Sequence, residues 1–220
     1  MNLPAAVLLD LDGTLVDSEP LWSTAAADHA RLHGCAWSAV DAAGIAGLPA
    51  PAVAALLHQR GVPLAAERIA ELLHEEVGLG LALELPWRAG ALDLLTLLRW
   101  AEVPSALVST SRRSLADLVA RATPAGTLRA VVSGDDVHRL APHPEAYLAA
   151  AGALGVDPAR CLVVEDSASG VAAALAAGTL VFAVDPSLDL PQRLSAHPRL
   201  VRVDGLVPVV ELLSSLLARG

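Results

Sequence analysis

Residues 7–20 read Val-Leu-Leu-Asp-Leu-Asp-Gly-Thr-Leu-Val-Asp-Ser-Glu-Pro and carry the strongest structural signal in this chain. The apolar start predicts a buried β-strand, and Gly13 marks a sharp exit from it. Asp10 and Asp12 are two residues apart, so on a strand they share a face and converge at its carboxyl end. Two carboxylates at close range are typical of a cation site, or of a nucleophile beside a general acid. A strand that ends in a plain acidic turn is the alternative.

Length and composition limit the class of protein. The chain has 220 residues, of which 54% are hydrophobic and 3% aromatic. This composition is typical of helices packed on a parallel sheet, and the length is enough for one domain or for two modest ones. A net charge of −9 argues against a nucleic-acid partner, because such a partner needs a basic surface.

Cysteine usage and hydropathy indicate a cytoplasmic protein with no membrane partner. Cys35 and Cys161 lie far apart and show no metal-ligand spacing, so we expect core thiols in a reducing compartment. The two aspartates interrupt the first apolar run, which therefore does not read as a signal peptide. The uncharged segment 167–184 is as long as a short membrane span, but Gly178 divides it into a helical half and a strand-like half.

Strand-like runs alternate with helical patterns, which predicts an α/β fold with a doubly wound, parallel, Rossmann-like sheet. The predicted strands are 5–9, 106–108, 130–132, 161–164, 180–184 and a weak 200–203, and the predicted helices between them are 90–101, 112–122, 144–154, 168–177 and 206–218. Helical patterns at 21–33, 38–43, 50–60 and 64–77 break this alternation. We therefore expect an α/β core of residues 1–16 and 87–220, with an inserted all-helical domain of residues 17–86.

Polar clusters follow two of the later predicted strands. Ser109, Thr110 and Ser111 follow one strand, and hydroxyls at a strand-to-helix junction present donors to an anion. Glu165 and Asp166 follow another strand. Because the carboxyl ends of parallel strands meet at one edge of a sheet, these acids and the first two aspartates would form an all-oxygen site suited to Mg²⁺. Taken singly, each cluster also reads as a helix cap or a solvated loop.

These segments resemble motifs of the haloacid dehalogenase-like superfamily. Asp10–Thr14, Ser109–Ser111 and Glu165–Gly170 match three of them, and Pro142–Tyr147 belongs to a further motif that matches apart from one residue. The helical insertion corresponds to the cap domain of that superfamily. Asp17–Trp22 further resembles the corresponding segment in one branch of the superfamily. That branch contains sugar-phosphate phosphatases and β-phosphoglucomutase-like proteins.

The resemblance implies a phosphatase that acts through an aspartyl-phosphate. Asp10 would be the nucleophile, Asp12 the general acid and base, and Ser109 would hold the transferring oxygens. The metal ligands it implies for Mg²⁺ are Asp10, Asp12 (through its carbonyl), Glu165 and Asp166. The residues expected near the substrate are Thr110, Ser111, Arg112, Arg139 and His143. The expected partner is a small phosphorylated metabolite, such as a sugar or polyol phosphate, bound by a monomer or homodimer.

The resemblance fails at one position. Members of the superfamily usually carry a lysine just before the Pro-x-Pro segment, and this chain has Ala141 there. All fifteen basic residues are arginine, but exchange of lysine for arginine does not explain an alanine. Three interpretations stay open: an arginine (Arg139, Arg112 or Arg113) substitutes for the lysine, the protein is a weak or inactive binding or regulatory relative, or the position was altered deliberately.

Two other activities of the superfamily fit the sequence less well. A phosphomutase similar to β-phosphoglucomutase would need a cap arginine for a second phosphate, and the loop of residues 44–50 has none. A haloacid dehalogenase proper would not need the acidic pair Glu165 and Asp166. We therefore expect a Mg²⁺-dependent phosphatase, with a binding protein that lacks turnover as the alternative from another class.

Overall fold

The apolar runs form a single parallel sheet in the computed structural model, which describes residues 3–219. The strands are β1 (Ala6–Asp10), β2 (Ser105–Val108), β3 (Leu128–Val132), β4 (Cys161–Glu165), β5 (Leu180–Ala183) and β6 (Leu200–Arg202). Their order is β3-β2-β1-β4-β5-β6, and every pair is parallel. This order reverses between β1 and β4, as in doubly wound folds, so the predicted fold class is confirmed.

The central position of β1 explains its sequence. Val7, Leu8 and Leu9 are all 0% exposed, because a central strand of a parallel sheet is covered on both faces. Asp10 pairs in register with Val108 of β2, and Leu9 pairs with Val164 of β4. The carboxyl ends of these three strands therefore lie side by side, together with the polar residues that follow them.

Helices connect the strands of the α/β unit close to their predicted positions. They are α5 (Ala91–Trp100), α6 (Arg113–Ala122), α7 (Glu145–Leu154), α8 (Ala168–Ala176), α9 (Gln192–Ser195) and α10 (Val207–Leu217). The short α9 was not predicted, because four residues are too few to show a helical period. Within the described residues no helix is long and apolar enough to cross a bilayer, and segment 167–184 divides into α8 and β5. Cys35 and Cys161 are both free.

Residues 17–86 form a second compact unit, which contains only helices. The helices are α1 (Glu19–Leu32), α2 (Ala39–Gly44), α3 (Ala50–Gln59) and α4 (Ala66–Leu83). Helix α4 continues past the predicted end at residue 77, although Gly78 and Gly80 read as a stop. Gly80 has a packing role instead, since a Cβ there would lie 2.8 Å from Cδ2 of Leu21 in α1. The glycine lets the two helices approach closely.

A tight turn follows β1 at the edge of the sheet where the polar residues after the strands lie. Gly13 has φ +81°, and its N–H donates to the carbonyl of Val16 at 2.8 Å. The N–H groups of Leu15 and Val16 both donate to the carbonyl of Leu11, at 3.0 and 3.1 Å. A Cβ on Gly13 would overlap Oδ2 of Asp166. Glycine is therefore needed here for its left-handed backbone and for the close approach of that carboxylate.

The first test concerns the core around β1. Leu8 is fully buried among apolar residues, so Leu8→Ala should lower the free energy of unfolding by about 2–5 kcal/mol through lost burial and a residual cavity. Leu92 on α5 is 44% exposed, and Leu92→Ala should change that free energy by less than about 0.5 kcal/mol. Urea unfolding measures both variants. Equal effects would contradict the placement of β1 at the centre of the core.

The second test concerns the turn at Gly13. Gly178 also has a positive φ (+83°), but nothing lies within 4 Å of the position its Cβ would take. Gly178→Ala therefore measures backbone strain alone, roughly 1 kcal/mol, while Gly13→Ala adds the overlap with Asp166. Urea unfolding should show a larger loss for Gly13→Ala. Equal losses in the free energy of unfolding would mean that the Asp166 carboxylate moves aside without cost. That result would contradict a need for glycine at position 13 because of the close approach of Asp166.

Candidate active site

Three carboxylates meet at the carboxyl ends of β1 and β4. One oxygen from each of Asp10, Glu165 and Asp166 lies within 4.8 Å of the others. Glu165 is 3% exposed, and Asp10 and Asp166 are half-buried. Oδ2 of Asp10 is buried and has no hydrogen-bond partner. A buried carboxylate oxygen without a donor, inside an all-oxygen group, fits a hard divalent cation.

Burial and mutual repulsion raise the pKa values of these carboxyl groups. Burial raises the pKa of Asp10 well above its ordinary value, and the charges of Glu165 and Asp166 raise it further. The same two effects, burial first and then the charge of Glu165, raise the pKa of Asp166 to about 8. Burial also raises the pKa of Glu165. The group therefore retains protons near neutral pH unless a cation replaces them.

Hydrogen bonds hold both oxygens of Glu165. The Tyr147 hydroxyl donates to Oε1 at 2.9 Å, and the N–H and hydroxyl of Ser167 donate to Oε2 at 2.7 and 3.0 Å. Gly170 leaves the space for this arrangement, since a Cβ there would overlap the Glu165 carboxylate. Tyr147 was not predicted as a site residue. It lies within a motif segment, but the contact depends on the packing of α7 against the sheet.

Oδ2 of Asp12 contacts the hydroxyl groups after β2, and the charge of Asp12 also raises the pKa values of Asp10 and Asp166. The hydroxyls of Ser109 and Ser111 both donate to its Oδ2, at 3.2 and 2.7 Å, and the Ser111 N–H donates to the Ser109 hydroxyl at 2.9 Å. Strand β1 ends at Asp10, so the alternation that would place Asp12 on the same face ends there too. Because the serine hydroxyls bind the Asp12 carboxylate, the backbone carbonyl of Asp12 remains as its predicted contact with the metal.

Thr14 connects the turn to the carboxylate group. Its side chain is buried, and its hydroxyl donates to Oδ1 of Asp166 at 3.3 Å. In the sequence, Thr14 stands out only as part of the motif Asp10–Thr14. Its hydroxyl and the bare Cα of Gly13 fix the position of Asp166 against the turn after β1.

The arginines predicted as substitutes for the missing lysine have different surroundings. Both Oδ atoms of Asp136 accept from Arg113, at 2.8 and 2.9 Å, and the Val131 carbonyl accepts from it at 3.0 Å. These bonds direct Arg113 along β3. Arg139 is exposed, and Arg112 is half-buried.

A different arginine acts on the carboxylate group. The positive charge of Arg88 lowers the pKa of Asp166, although less than burial and Glu165 raise it. The Arg88 N–H donates to the carbonyl of Leu15 at 2.9 Å, which ties the residue to the turn after β1. The sequence did not single out Arg88, because this contact joins segments more than seventy positions apart.

A cavity of about 20 Å³ adjoins Asp10 and Glu165. Ala141 and His143 line it, together with exposed Thr110. Nδ1 of His143 lies 3.7 Å from Oε2 of Glu145. The predicted substrate-binding residues Thr110 and His143 are thus brought close to the nucleophile candidate, and the short side chain at position 141 faces the same space.

Comparisons with known proteins agree with this geometry. The model of the haloacid dehalogenase-like hydrolases matches residues 4–178. Hexitol phosphatase A of Escherichia coli K12 is 36% identical over 186 residues, which cover 84% of this chain and 85% of that protein. Validoxylamine A 7′-phosphate phosphatase of Streptomyces hygroscopicus subsp. limoneus is 32% identical over 177 residues, which cover 78% and 81%.

A solved structure shows the same fold. CbbY from Rhodobacter sphaeroides, in complex with phosphate, superposes with a TM-score of 0.77 at 22% identity, over 94% of this chain and 96% of that one. The family match extends over most of the sequence and includes the turn after β1, the serines after β2 and the acidic pair after β4. The resemblance that those motifs predicted is confirmed. The chain belongs to the haloacid dehalogenase-like hydrolase family.

Proposed function

We propose that this protein is a Mg²⁺-dependent phosphatase of a small phosphorylated metabolite, such as a sugar or polyol phosphate. The observation that carries the proposal is the group of Asp10, Glu165 and Asp166, which lies beside the Ser109 hydroxyl and Asp12. The names of two relatives, a hexitol phosphatase and a 7′-phosphate phosphatase, support a phosphoric monoester as the substrate. We assign residues 17–86 the role of a cap domain.

The residues present fit a magnesium ion. Asp10 offers a buried oxygen without a donor, Asp166 is fixed by Thr14, and Glu165 is oriented by Tyr147. These carboxylates and the carbonyl of Asp12 would hold Mg²⁺, which prefers oxygen ligands. The bound ion would supply positive charge that offsets the repulsion between the Asp10 carboxylate and a phosphate dianion.

In the first half-reaction Asp10 acts as the nucleophile. One of its carboxylate oxygens attacks phosphorus, the bond from phosphorus to the substrate oxygen breaks, and an aspartyl-phosphate forms. Asp12 donates a proton to the departing alkoxide, so the product leaves as an alcohol. The hydroxyls of Ser109 and Ser111, which bind Asp12 in this structure, hold its carboxyl group in position for that transfer.

In the second half-reaction Asp12 acts as the base. Its carboxylate accepts a proton from water, and the water oxygen attacks phosphorus. The bond between phosphorus and the Asp10 oxygen then breaks, which releases inorganic phosphate and restores the Asp10 carboxylate. Dividing one displacement into two steps in this way lowers the barrier of each.

The second candidate function is a phosphate-binding protein with little turnover. Ala141 favours it, because the cavity beside Asp10 contains no basic side chain from that position. The loss of one electrostatic contact to a developing charge typically costs about 10²–10³ in rate. Hydrolysis of p-nitrophenyl phosphate with and without Mg²⁺ separates the two functions. A binding protein would show Mg²⁺-dependent phosphate binding without hydrolysis.

The nucleophile is tested by Asp10→Asn. An amide cannot form the acyl-phosphate, so kcat should fall by at least about 10⁴-fold, while the fold is retained because Asn has nearly the same shape. Asp117→Asn, a half-exposed carboxylate on α6, is the matched control and should retain activity. Steady-state hydrolysis and circular dichroism measure both. Normal turnover by Asp10→Asn would exclude Asp10 as the nucleophile.

The carboxylate group also predicts how stability depends on pH. Because the pKa of Asp166 is about 8 in the folded protein and 3.8 ordinarily, the folded state binds more protons than the unfolded state between these values. Stability of the metal-free protein should therefore fall as the pH rises through this window. Mg²⁺ binds the deprotonated form, so its stabilising effect should grow over the same range.

Asp166→Asn is the matched variant for this pH dependence. Urea unfolding in EDTA and in saturating Mg²⁺, at several pH values, compares it with the wild type. The difference between the two proteins isolates the Asp166 carboxyl from exposed acids elsewhere in the chain. Parallel pH profiles in EDTA, with equal responses to Mg²⁺, would contradict the assigned cation site.

A further inference from the structure

Ser109 and Ser111 both donate to Asp12, but their hydrogen bonds differ in length. The Ser111 hydroxyl lies 2.7 Å from Oδ2 of Asp12, and the Ser109 hydroxyl lies 3.2 Å from the same oxygen. Strong bonds from a hydroxyl to a carboxylate are typically about 2.5–2.7 Å long. The bond from Ser111 is therefore the stronger one, and the bond from Ser109 is more easily exchanged for another acceptor.

The Ser109 hydroxyl has one proton to donate, and a bound substrate would compete for it. Ser109 lines the cavity beside Asp10, whereas Ser111 is not among the described residues that line it. In the first half-reaction Asp12 acts as an acid, so its carboxyl group is neutral and a charged phosphate oxygen is the better acceptor. We therefore expect the Ser109 hydroxyl to turn to the substrate phosphate, while Ser111 stays bound to Asp12.

Contacts with two loops fix the position of Ser111. The residue is buried, and its carbonyl accepts from the N–H of Gly134 at 2.8 Å. A Cβ on Gly134 would overlap the carbonyl oxygen of Thr110, so this glycine lets the loops after β2 and β3 pack closely. The Ser111 N–H donates to the Ser109 hydroxyl at 2.9 Å. These contacts lie within the protein, so they hold the Ser111 hydroxyl beside Asp12 whether or not a substrate is bound.

We propose that Ser111 is a positioning residue for Asp12, and that it favours substrates whose leaving group is a strong base, as the alkoxides of sugars and polyols are. Both serines bind Oδ2 of Asp12, so its Oδ1 would give its proton to the ester oxygen as the bond from that oxygen to phosphorus breaks. Protonation matters most for strongly basic leaving groups. The inference rests on the proposed function, and it assigns Ser111 to Asp12 and not to the substrate.

Two esters that differ by one nitro group test this role. Phenolate is a stronger base than p-nitrophenolate, and kcat/KM reports the half-reaction in which the leaving group departs. In Mg²⁺, Ser111→Ala should lower kcat/KM at least about 10-fold for phenyl phosphate but less than about 3-fold for p-nitrophenyl phosphate. Ser114→Ala removes an exposed hydroxyl on α6 and should change neither value. Equal losses with the two esters in Ser111→Ala would overturn the proposal.

Two further variants test whether the hydroxyl acts through Asp12. Ser111→Thr retains a hydroxyl, so its ratio of kcat/KM for phenyl phosphate to that for p-nitrophenyl phosphate should stay within about 3-fold of the wild type. Once Asp12→Ala has removed the acid, adding Ser111→Ala should change that ratio no further. A ratio in Ser111→Thr as low as in Ser111→Ala would assign the effect to packing. A further drop in the double variant would assign it to a contact other than Asp12, and either result would contradict the proposal.

A binding measurement gives a second readout that does not need turnover. Titration calorimetry with inorganic phosphate, in saturating Mg²⁺, compares the two serines. Ser109→Ala should weaken phosphate binding at least about 10-fold, because it deletes a hydrogen bond to a charged group. Ser111→Ala keeps the N–H that binds the Ser109 side chain, so it should change the affinity by less than about 2-fold.

The calorimetry separates failure of this inference from failure of the proposed function. Equal weakening by the two substitutions would make Ser111 a phosphate ligand and overturn the proposal. A wild type that binds no phosphate would also overturn it, because the Ser109 hydroxyl would then have no acceptor to exchange for Asp12. If the wild type binds phosphate but hydrolyses neither ester, the proposed function fails, and the calorimetry still decides whether Ser111 contacts the phosphate.

Discussion

The repulsion among three closely placed carboxylates, one buried and two half-buried, is the constraint to which the rest of this structure is fitted. Asp10, Glu165 and Asp166 approach within 4.8 Å at the ends of two central strands. Removing such charges from water is costly unless cations or donors compensate. Burial of the apolar core offsets this free-energy cost, because it holds β1 and β4 in place. Hydrogen-bond donors around the three carboxylates reduce the cost further. Thr14 binds Asp166, while Tyr147 and Ser167 bind Glu165.

Much of the fold could be predicted, because buried parallel strands appear in the sequence as short runs of apolar residues. The end of α4 could not, because Gly78 and Gly80 read locally as a stop, whereas Gly80 serves contact with Leu21. In the site, Asp10 and the acidic pair after β4 were predictable, since strand ends converge in any doubly wound sheet. Their neighbours were harder to find: Tyr147 depends on the packing of a helix.

Side-chain direction explains the remaining differences in the site. Arg113 was a reasonable candidate by position, yet its guanidinium binds Asp136 and the Val131 carbonyl. Arg88, distant in sequence, carries the charge that acts on Asp166. Asp12 turns to the serines because β1 ends before it. Sequence order indicates which residues reach the edge of the sheet, but tertiary contacts decide where each side chain points.

The sheet order has a consequence for how the chain acquires its site. The contact between Thr14 and Asp166 spans 152 positions, and the helical unit is inserted between β1 and β2. Contacts between residues so far apart in the sequence form late, because a long loop must close first. Such contacts therefore make folding slower. During synthesis, β1 leaves the ribosome well before β4 exists, so its aspartates stay hydrated and apart from their acidic neighbours. The electrostatic cost of the cluster is therefore deferred until the central strands have paired and can hold it.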